Sequence, residues 1–306
     1  MSVIHCGKFT ISFDRPRIVG ILNVTPDSFS DGGKFFAPAA AITHAQDMIA
    51  EGADIIDIGG ESTRPGSQRI SVEEELGRIL PVLDVLVKEL PVPISIDTTK
   101  PEVAEKCLGR GAHIINDVSG LRDSRMREVA ARLKAPVIIM HMQGTPDTMQ
   151  KNPQYGDVVE EIIAYLGEQA TMAKSAGIEQ IIIDPGIGFG KTIQHNLAIL
   201  AHLGEFRILG YPVMVGVSRK SFLQKIIGDN SFCHSRENGN PESMEKTGSP
   251  IKSGMTEKYI STHQTSEATL AAEAIARYNG ADMIRTHDVA GCKRAIAIAG
   301  AIRKAV

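Results

Sequence analysis

The stretch Gln180-Ile-Ile-Ile-Asp184-Pro-Gly186 shows the pattern that decides the fold. A short β-branched run is closed by a carboxylate and then by a Pro-Gly turn. Such a run, without apolar/polar alternation, is typical of a parallel strand buried on both faces. Eight runs of this kind recur along the chain: Ile18–Asn23, Asp54–Gly59, Pro93–Asp97, His113–Asp117, Pro136–His141, Gln180–Asp184, Pro212–Gly216 and Asp282–His287.

Helical patterns lie between these runs. One apolar stripe ends at Glu51-Gly52 and consists of Ile42, Ala45, Met48 and Ile49. Another ends at Asn279-Gly280 and consists of Leu270, Ala271, Ala274, Ile275 and Tyr278. Strand followed by helix, eight times, predicts an α/β fold, an eightfold parallel barrel of the TIM type. A doubly wound open sheet is the alternative, and the lack of an antiparallel edge strand favours the barrel.

Two segments fall outside the repeat. Val3–Phe13 is predicted to form a hairpin that turns at Gly7-Lys8 and covers the bottom of the barrel. Asp229–Ile260, before the last strand, is rich in polar residues, glycine and proline, so we expect a mobile loop insertion without a core of its own. Residues 1–306 are therefore predicted to form one barrel domain.

Composition excludes several classes of protein. The 33 Lys and Arg against 36 Asp and Glu give a net charge of −3, so no nucleic-acid partner is expected. The four cysteines form no C-x-x-C pair, which argues against disulfides or a zinc site and favours a reducing compartment. No apolar run has the length of a membrane span, and no signal layout opens the chain. We therefore expect a cytoplasmic protein without a membrane partner.

The chemistry of such a barrel is expected at the carboxyl ends of its strands. Those ends carry an unusual number of polar residues: Asn23, Asp57, Asp97, Asn116, Asp117, His141, Asp184, Arg285 and His287. For each residue alone a structural role stays open. Asp184 precedes Pro-Gly and could make an Asx turn, and a lone strand-end histidine such as His141 is more often structural.

Ser218-Arg219-Lys220-Ser221 is a sharper signal. Two cations at the start of a helix oppose the helix dipole, a conflict that an anionic ligand would relieve. Arg285 and His287, with Asn23 on the neighbouring first strand, could complete an anion pocket.

The glycine-rich run Asp184-Pro-Gly-Ile-Gly-Phe-Gly-Lys-Thr192 is not a phosphate-binding P-loop, because only three residues separate Gly186 from Gly190. We predict a tight loop that lets the backbone approach a flat ligand at Phe189. No metal-ligand motif is present, so any Mg²⁺ would be held mainly by substrate phosphates and by one or two protein oxygens.

Motifs in order along nearly the whole chain resemble those of the dihydropteroate synthase family of pterin-binding enzymes. They are Ile21–Gly33, Asp57–Gly66, Ser95–Thr98, Ile115–Gly120, Met140–Gly144, Asp184–Gly190, Gly216–Ser221 and Ile284–Asp288. The resemblance implies that p-aminobenzoate is joined to hydroxymethyl-dihydropterin diphosphate, giving dihydropteroate and diphosphate in folate biosynthesis. It also implies Mg²⁺ as cofactor and a homodimer. The family usually has a short loop where this chain carries the insertion, which puts dimer contacts on that surface in doubt.

The resemblance also assigns roles to residues. Those expected to bind the pterin are Asp97, Asn116, Asp184 and Lys220, with Met140 and Phe189 lining the pocket. Those expected to hold the diphosphate are Asn23, Arg64, Arg285 and His287, with Asn23 also meeting Mg²⁺. Those expected to border p-aminobenzoate are Thr63, Pro65 and Ser221. Asp97, Asp184, Lys220 and Asn23 are the expected catalytic residues, and Asp31 is expected to help close the site.

The residue chemistry fits this assignment. Loss of diphosphate from a carbon attached to a conjugated ring leaves a delocalised cation, which carboxylates stabilise while cations stabilise the leaving group. Three alternatives stay open. They are a corrinoid-linked pterin methyltransferase barrel, a Schiff-base aldolase that uses Lys220, and a non-catalytic barrel that binds pterin or a protein partner.

Overall fold

The computed structural model describes residues 3–25, 38–63, 67–228 and 262–305. The strands are β1 (Val3–Cys6), β2 (Phe9–Ser12), β3 (Arg17–Asn23), β4 (Ile55–Gly59), β5 (Ile94–Asp97), β6 (Ile114–Asp117), β7 (Val137–Met140), β8 (Ile181–Asp184), β9 (Met214–Gly216) and β10 (Met283–Thr286). The helices are α1 (Pro38–Glu51), α2 (Val72–Glu89), α3 (Pro101–Gly109), α4 (Ser124–Arg132), α5 (Val158–Ser175), α6 (Ile193–Ala201), α7 (Ser221–Gly228), α8 (Thr262–Tyr278) and α9 (Val289–Lys304), with a 3-10 helix at Leu203–Leu209.

Strands β3 to β10 form one parallel sheet in the order β8-β7-β6-β5-β4-β3-β10-β9. A parallel bridge between Ile183 and Val213 joins the two ends, and the Ile183 amide donates to the Pro212 carbonyl oxygen at 3.0 Å. The sheet is therefore a closed barrel, which excludes the open doubly wound alternative. All eight predicted strands are present, with bounds that differ by no more than two residues at either end.

The N-terminal hairpin closes the bottom of the barrel, as predicted. β1 and β2 pair antiparallel around a turn at Gly7 and Lys8, and Gly7 has a φ of 60°, which a glycine adopts without strain. The hairpin side chains Ile4, Cys6 and Ile11 pack on apolar residues at or near the strand starts, such as Val19 and Ile114. The side-chain amide Nε2 of Gln180 also donates to the His5 carbonyl oxygen at 2.9 Å, which connects the hairpin to the residue before β8.

The main core lies between the strands and the surrounding helices. Helix α1 buries Ala45 and Met48 of the predicted stripe and packs Ile42 and Ile49 against the core. It ends at Glu51, as expected, before Gly52 with a φ of 114°.

The predicted stripe of α8 is wrong as a core face. Ile275 and Tyr278 are exposed, and so is Ala271. The buried side of the helix instead carries small or polar side chains: Thr265, Thr269, Ala272, Glu273 and Ala276. Small residues let α8 lie close to its neighbours, so the larger apolar side chains remain on the outer surface.

The predicted insertion Asp229–Ile260 lies outside the described residues. The described chain leaves α7 at Gly228 and resumes with α8 at Thr262, so the insertion separates these two helices. None of the helices within the described ranges is long and apolar enough to span a bilayer.

Candidate active site

One cavity of about 960 Å³ opens at the carboxyl ends of the barrel strands. Its lining brings together most of the residues predicted for the site: Asn23, Thr63, Asp97, Asn116, Met140, Asp184, Phe189, Lys220, Arg285 and His287. They lie far apart in the chain and meet because parallel strands end on the same rim. The volume lies at the upper end of the usual range for small-molecule sites.

Arg285 forms the centre of a charged network on the cavity floor. Its Nε donates to Oδ2 of Asp57 at 2.7 Å, and its Nη2 donates to Oδ2 of Asp97 at 2.6 Å. Asp57 is fully buried, and its Oδ2 also accepts from Nδ2 of Asn116 at 2.9 Å. Asp57 thereby orients a residue predicted for the pterin and one predicted for the diphosphate.

Burial shifts the titration of the groups that face the cavity. It raises the pKa of Asp97 to about 7 and that of Asp184 to about 6, with the nearby cations acting in the opposite direction. Burial, together with the charge of Arg285, lowers the pKa of Lys220 to about 8. For Arg285, burial acts to lower the pKa, but the carboxylates of Asp57 and Asp97 outweigh it and raise the pKa above its ordinary value. Strongly shifted groups in one cavity are typical of catalytic sites.

The loop after β8 supplies a flat apolar wall. The Lys220 Nζ atom lies 4.0 Å from the centre of the Phe189 ring, a cation–π distance. The Asx turn predicted as the structural role of Asp184 is also present, since Oδ1 of Asp184 accepts from the Gly186 amide at 2.7 Å. Asp184 therefore has a structural contact and also lines the cavity.

A second polar group lies where β3 and β10 end side by side. Nδ2 of Asn23 lies 3.5 Å from Nε2 of His287, and Nδ1 of His287 lies 3.0 Å from Oγ of Ser218. Ser218 and Arg219 precede α7, with Arg219 at a φ of 56°, and Lys220 directly adjoins the first helical residue. Arg219 and Lys220 line the cavity directly before the start of α7 and supply the positive charge that favours an anion.

Some predicted residues are not brought into this arrangement. Ser221 is exposed at the first position of α7 and does not line the cavity. Arg64, Pro65 and Asp31 lie outside the described residues, so their roles stay predictions.

Three features of the site were missed from the sequence. Asp57 was recognised as a strand-end residue, but nothing in its motif indicated that it would bond both Asn116 and Arg285. Lys100 forms ion pairs with Glu61 and the buried Glu75 and so anchors the start of the segment that follows β4. The three residues come from separate parts of the chain, so no local sequence pattern indicated this cluster. The third is Lys191, which directly follows the last glycine of the glycine-rich run, Gly190, and is buried.

Two strand-end residues have structural roles. The carboxylate of Asp117 accepts from the backbone amides of Ser119 and Leu121 at 2.7 and 3.0 Å. His141 is buried against Tyr165, and burial lowers the pKa of His141 to about 2, so the ring is neutral.

A metal ion could be held here only with help from a ligand. Across the described ranges, no group of three or more His, Cys, Asp or Glu side chains is placed to coordinate a metal. Asn23 offers one amide oxygen at the cavity wall. One protein oxygen, together with phosphate oxygens and water, matches the way Mg²⁺ is commonly bound with nucleotide and diphosphate substrates. The donor set therefore fits Mg²⁺ carried by a diphosphate.

Comparisons with known proteins agree with this geometry. The model of the family described as pterin binding enzyme matches residues 19–287. The dihydropteroate synthase of Escherichia coli strain K12 is 42% identical over 282 residues, which cover 92% of this chain and 89% of that protein.

Two solved structures are similar over essentially the full length. The dihydropteroate synthase of Yersinia pestis, in complex with a sulfonamide drug, is 37% identical, covers 100% of both chains and has a TM-score of 0.84. That of Xanthomonas albilineans, with 4-aminobenzoic acid, is 38% identical, covers 99% of this chain and 98% of its own, and has a TM-score of 0.83. The similarity therefore includes the strands that carry the cavity residues.

Proposed function

Because the chain belongs to the pterin-binding enzyme family and has dihydropteroate synthase activity, we propose that the cavity at the barrel rim binds both substrates of that reaction. The reaction joins p-aminobenzoate to hydroxymethyl-dihydropterin diphosphate, yields dihydropteroate and diphosphate, and belongs to folate biosynthesis. The observation that carries the proposal is the cavity floor, where Asp97 and Asp184 lie with Lys220 and Arg285 in one largely buried network.

The pterin occupies the floor of the cavity. Asp97, Asp184 and Asn116 are buried and offer oxygen acceptors to the N–H groups of the ring. Because Asn116 Nδ2 donates to Asp57, its Oδ1 is left to accept a hydrogen bond from a ligand. Lys220 donates to ring acceptors, while Phe189 and Met140 contribute apolar walls to the pocket.

The diphosphate occupies the side of the cavity where β3 and β10 end. Asn23, Arg285 and His287 hold it there, and Arg64, from the segment after β4, joins them. Asn23 would also be the protein ligand of Mg²⁺, which when bound neutralises charge on the diphosphate and so makes it a better leaving group. Arg285 is already ordered by Asp57 and Asp97, which lowers the entropic cost of binding the anion.

p-Aminobenzoate enters from the outer side, where Thr63 lines the cavity. Pro65 borders it in this proposal, whereas Ser221, which is exposed and outside the cavity lining, is not given a contact. Its amine is neutral at neutral pH and needs no strong base to become nucleophilic.

The reaction proceeds by dissociative loss of diphosphate. The carbon–oxygen bond breaks, and both electrons leave with the diphosphate, which the cationic side of the cavity stabilises. The carbon is left as a cation delocalised over the pterin, near the carboxylates of Asp97 and Asp184. The arylamine nitrogen then donates its lone pair to form the carbon–nitrogen bond, and its proton passes to water or to the departing diphosphate.

A diphosphate-release assay with and without p-aminobenzoate tests the function. Release should depend strongly on p-aminobenzoate and match dihydropteroate formation one to one. Dissociative loss further predicts that ¹⁸O in the bridging position of the pterin diphosphate exchanges into non-bridging positions when p-aminobenzoate is absent. Absence of this exchange would contradict the dissociative step while leaving the synthase activity intact.

We also propose that the enzyme is a cytoplasmic homodimer. The outer face of α8 and α9 exposes large apolar side chains, including Ile275, Ile298 and Ile302, which are more than half exposed. Exposed apolar side chains on two helices that pack against each other are typical of an interface. Light scattering on the purified protein measures the assembly directly, and a monomer at micromolar concentration would contradict the proposal.

The cytoplasmic location is supported by the cysteines. Cys6, Cys107 and Cys292 are buried free thiols, which suits a reducing compartment.

A further inference from the structure

Lys191 is a buried amine that has no role in the reaction proposed above. Its side chain is 3% exposed and belongs to no ion pair found among the described residues. Burial lowers the pKa of Lys191 well below its ordinary value. The charge of Asp184 acts in the opposite direction but does not outweigh burial. A buried amine without a carboxylate in ion-pair contact lowers stability unless other groups accept its hydrogen bonds.

The amine bonds to the two segments that form one side of the pterin pocket. Nζ of Lys191 lies 2.9 Å from the Phe189 carbonyl oxygen, 2.9 Å from Nδ1 of His141 and 3.4 Å from the His141 carbonyl oxygen. Phe189 is on the loop after β8, and His141 directly follows β7. An amine and an ammonium both donate hydrogen bonds, so this bridge is present in either protonation state.

The loop that Lys191 holds has little conformational preference of its own. Gly186, Gly188 and Gly190 all have positive φ values, of 70°, 82° and 63°. A Cβ on Gly186 would collide with the His141 carbonyl oxygen, so the loop lies directly against the end of β7. Glycine permits this close approach but does not enforce it, because it is the most flexible residue in the unfolded chain. Hydrogen bonds therefore hold the loop, and besides the backbone bond from the Phe189 amide to the Gly186 carbonyl oxygen, several come from side chains.

Those hydrogen bonds are present on successive residues. Tyr155 donates to the Gly190 carbonyl oxygen at 2.8 Å, and Gln150 donates to the Gly188 carbonyl oxygen at 2.8 Å. Lys191 takes the carbonyl between them, that of Phe189, whose ring lies 4.0 Å from the Lys220 amine. Among these three donors, only Lys191 holds the residue whose side chain lines the pocket next to Lys220.

We propose that Lys191 is a positioning residue that fixes Phe189, and through it Lys220, in the geometry that binds the pterin. This inference rests on the proposed function and deepens it. In this proposal each residue of the motif Gly-Phe-Gly-Lys has a role. The glycines allow the loop to approach β7, the phenylalanine contacts the pterin ring, and the lysine holds the loop by hydrogen bonds.

The experiment compares Lys191→Met, which keeps the length of the stem and removes the donors, with Tyr155→Phe, which removes the neighbouring hydrogen bond on the same loop. Steady-state KM is measured separately for the pterin diphosphate and for p-aminobenzoate. Lys191→Met should raise KM for the pterin diphosphate by about tenfold, a change worth about 1.4 kcal/mol. KM for p-aminobenzoate and kcat should each change by less than about threefold. Tyr155→Phe should change every constant by less than about threefold, because it frees only the carbonyl of Gly190 and leaves the Phe189 carbonyl bonded to Lys191.

Two outcomes would overturn the inference. One is a cooperatively folded Lys191→Met with an unchanged KM for the pterin diphosphate. The other is an equal effect of Tyr155→Phe, which would assign the result to general loop stiffness. If Lys191→Met does not fold, Lys191→Gln replaces it. Its shorter side chain cannot reach both segments, so an unchanged KM for the pterin diphosphate there also overturns the inference. An inactive wild-type protein would instead count against the proposed function itself.

Discussion

Asp97 and Asp184 are buried carboxylates that face the same cavity as the Lys220 amine. Burial disfavours the charged form of each group, which raises the two carboxyl pKa values and lowers that of the amine. The proposed roles need both carboxylates ionised and the amine protonated. At the residue scale, these opposite shifts leave only a narrow pH range in which all three groups are in the required state.

The pH dependence of kcat/KM follows from those shifts. As pH falls below about 7 and then about 6, Asp97 and Asp184 take up protons, so kcat/KM should fall. As pH rises above about 8, Lys220 loses its proton, so kcat/KM should fall again. Initial rates at limiting pterin diphosphate across this range report the ionisations of the free enzyme.

In Lys220→Arg the alkaline limb of the profile should move to higher pH, because the guanidinium stays charged. An alkaline limb that stays near pH 8 in that variant would contradict the assignment.

Loss of the Lys220 amine should cripple turnover. Lys220→Ala removes a charged donor beside Phe189 and is expected to lower kcat/KM by the equivalent of about 2–4 kcal/mol. Lys225→Ala is the matched control, since Lys225 is an exposed lysine on α7, the helix that begins directly after Lys220. It should leave kcat/KM within about twofold of the wild-type value. A value of kcat/KM near wild type in Lys220→Ala would refute its role.

Asn23 and His287 should serve the diphosphate rather than the ring. Their side chains lie 3.5 Å apart at the ends of neighbouring strands, away from the loop that carries Phe189. Asn23→Ala and His287→Ala should therefore weaken diphosphate binding by about tenfold and leave hydroxymethylpterin binding nearly unchanged. Calorimetric titrations with each ligand alone measure the two effects. Equal losses for both ligands would show that the pocket is not divided in this way.

The sequence was enough to predict which residues line the cavity, but not which of them form hydrogen bonds or ion pairs with each other. Strand-end position and residue type were enough to select Asp97, Asn116 and Arg285. Which side chain bonds which depends on the tilt of the strands around the barrel, and local sequence does not encode that tilt. Arg285 was therefore expected at the diphosphate alone, whereas in the structure it is also held between Asp57 and Asp97.

At the scale of elements, the strands were predictable and one helix face was not. Strands buried on both faces leave an uninterrupted β-branched run, such as Ile181–Asp184, and this signal survives without knowledge of the neighbours. In α8 the side that packs inward is the side whose small side chains let the helix lie close to its neighbours. Ala272 and Ala276 therefore face the core, while Ile275 is 52% exposed. A periodic pattern of large apolar residues shows that a helix exists, but it does not by itself show which side the barrel covers.

The insertion between α7 and α8 should be dispensable. Its sequence, Asp229–Ile260, is too polar for a core, and it contains no residue assigned to the site. Replacing it with a short Gly/Ser linker should leave cooperative unfolding and turnover intact. Each halving of loop length changes the loop-closure free energy by only about 0.6 kcal/mol, in the stabilising direction. Thermal melts and kcat/KM of the shortened protein check this. A variant that melts cooperatively but has no turnover would show that the insertion reaches the cavity.

At the scale of the whole molecule, the closed sheet separates the part that stabilises the fold from the part that carries the chemistry. The hairpin and the apolar strand starts close one end, while the charged strand ends meet at the other. Buried charges that would destabilise an ordinary core, such as Asp57 and Asp97 around Arg285, lie at the charged end. Most of the remaining core is apolar, with exceptions such as the buried Glu273 of α8, and it should not depend on ligands for its stability.

That separation predicts how the protein responds to removal of metal. Asn23 is the single protein residue assigned to Mg²⁺, and the described part of the chain offers no cluster of acidic, His or Cys side chains that could hold the ion without a substrate. EDTA should therefore abolish diphosphate release, and added Mg²⁺ should restore it. Because a ligand stabilises a protein only when it binds the folded state, EDTA should shift the Tm of the substrate-free protein by less than about 1 °C. With the pterin diphosphate present, Mg²⁺ should raise the Tm, since the ion then binds together with the phosphates.

Differential scanning calorimetry in the four combinations of metal and substrate separates these cases. A large drop in Tm on adding EDTA to the substrate-free protein would show a structural metal and contradict the assignment of Mg²⁺ to the diphosphate.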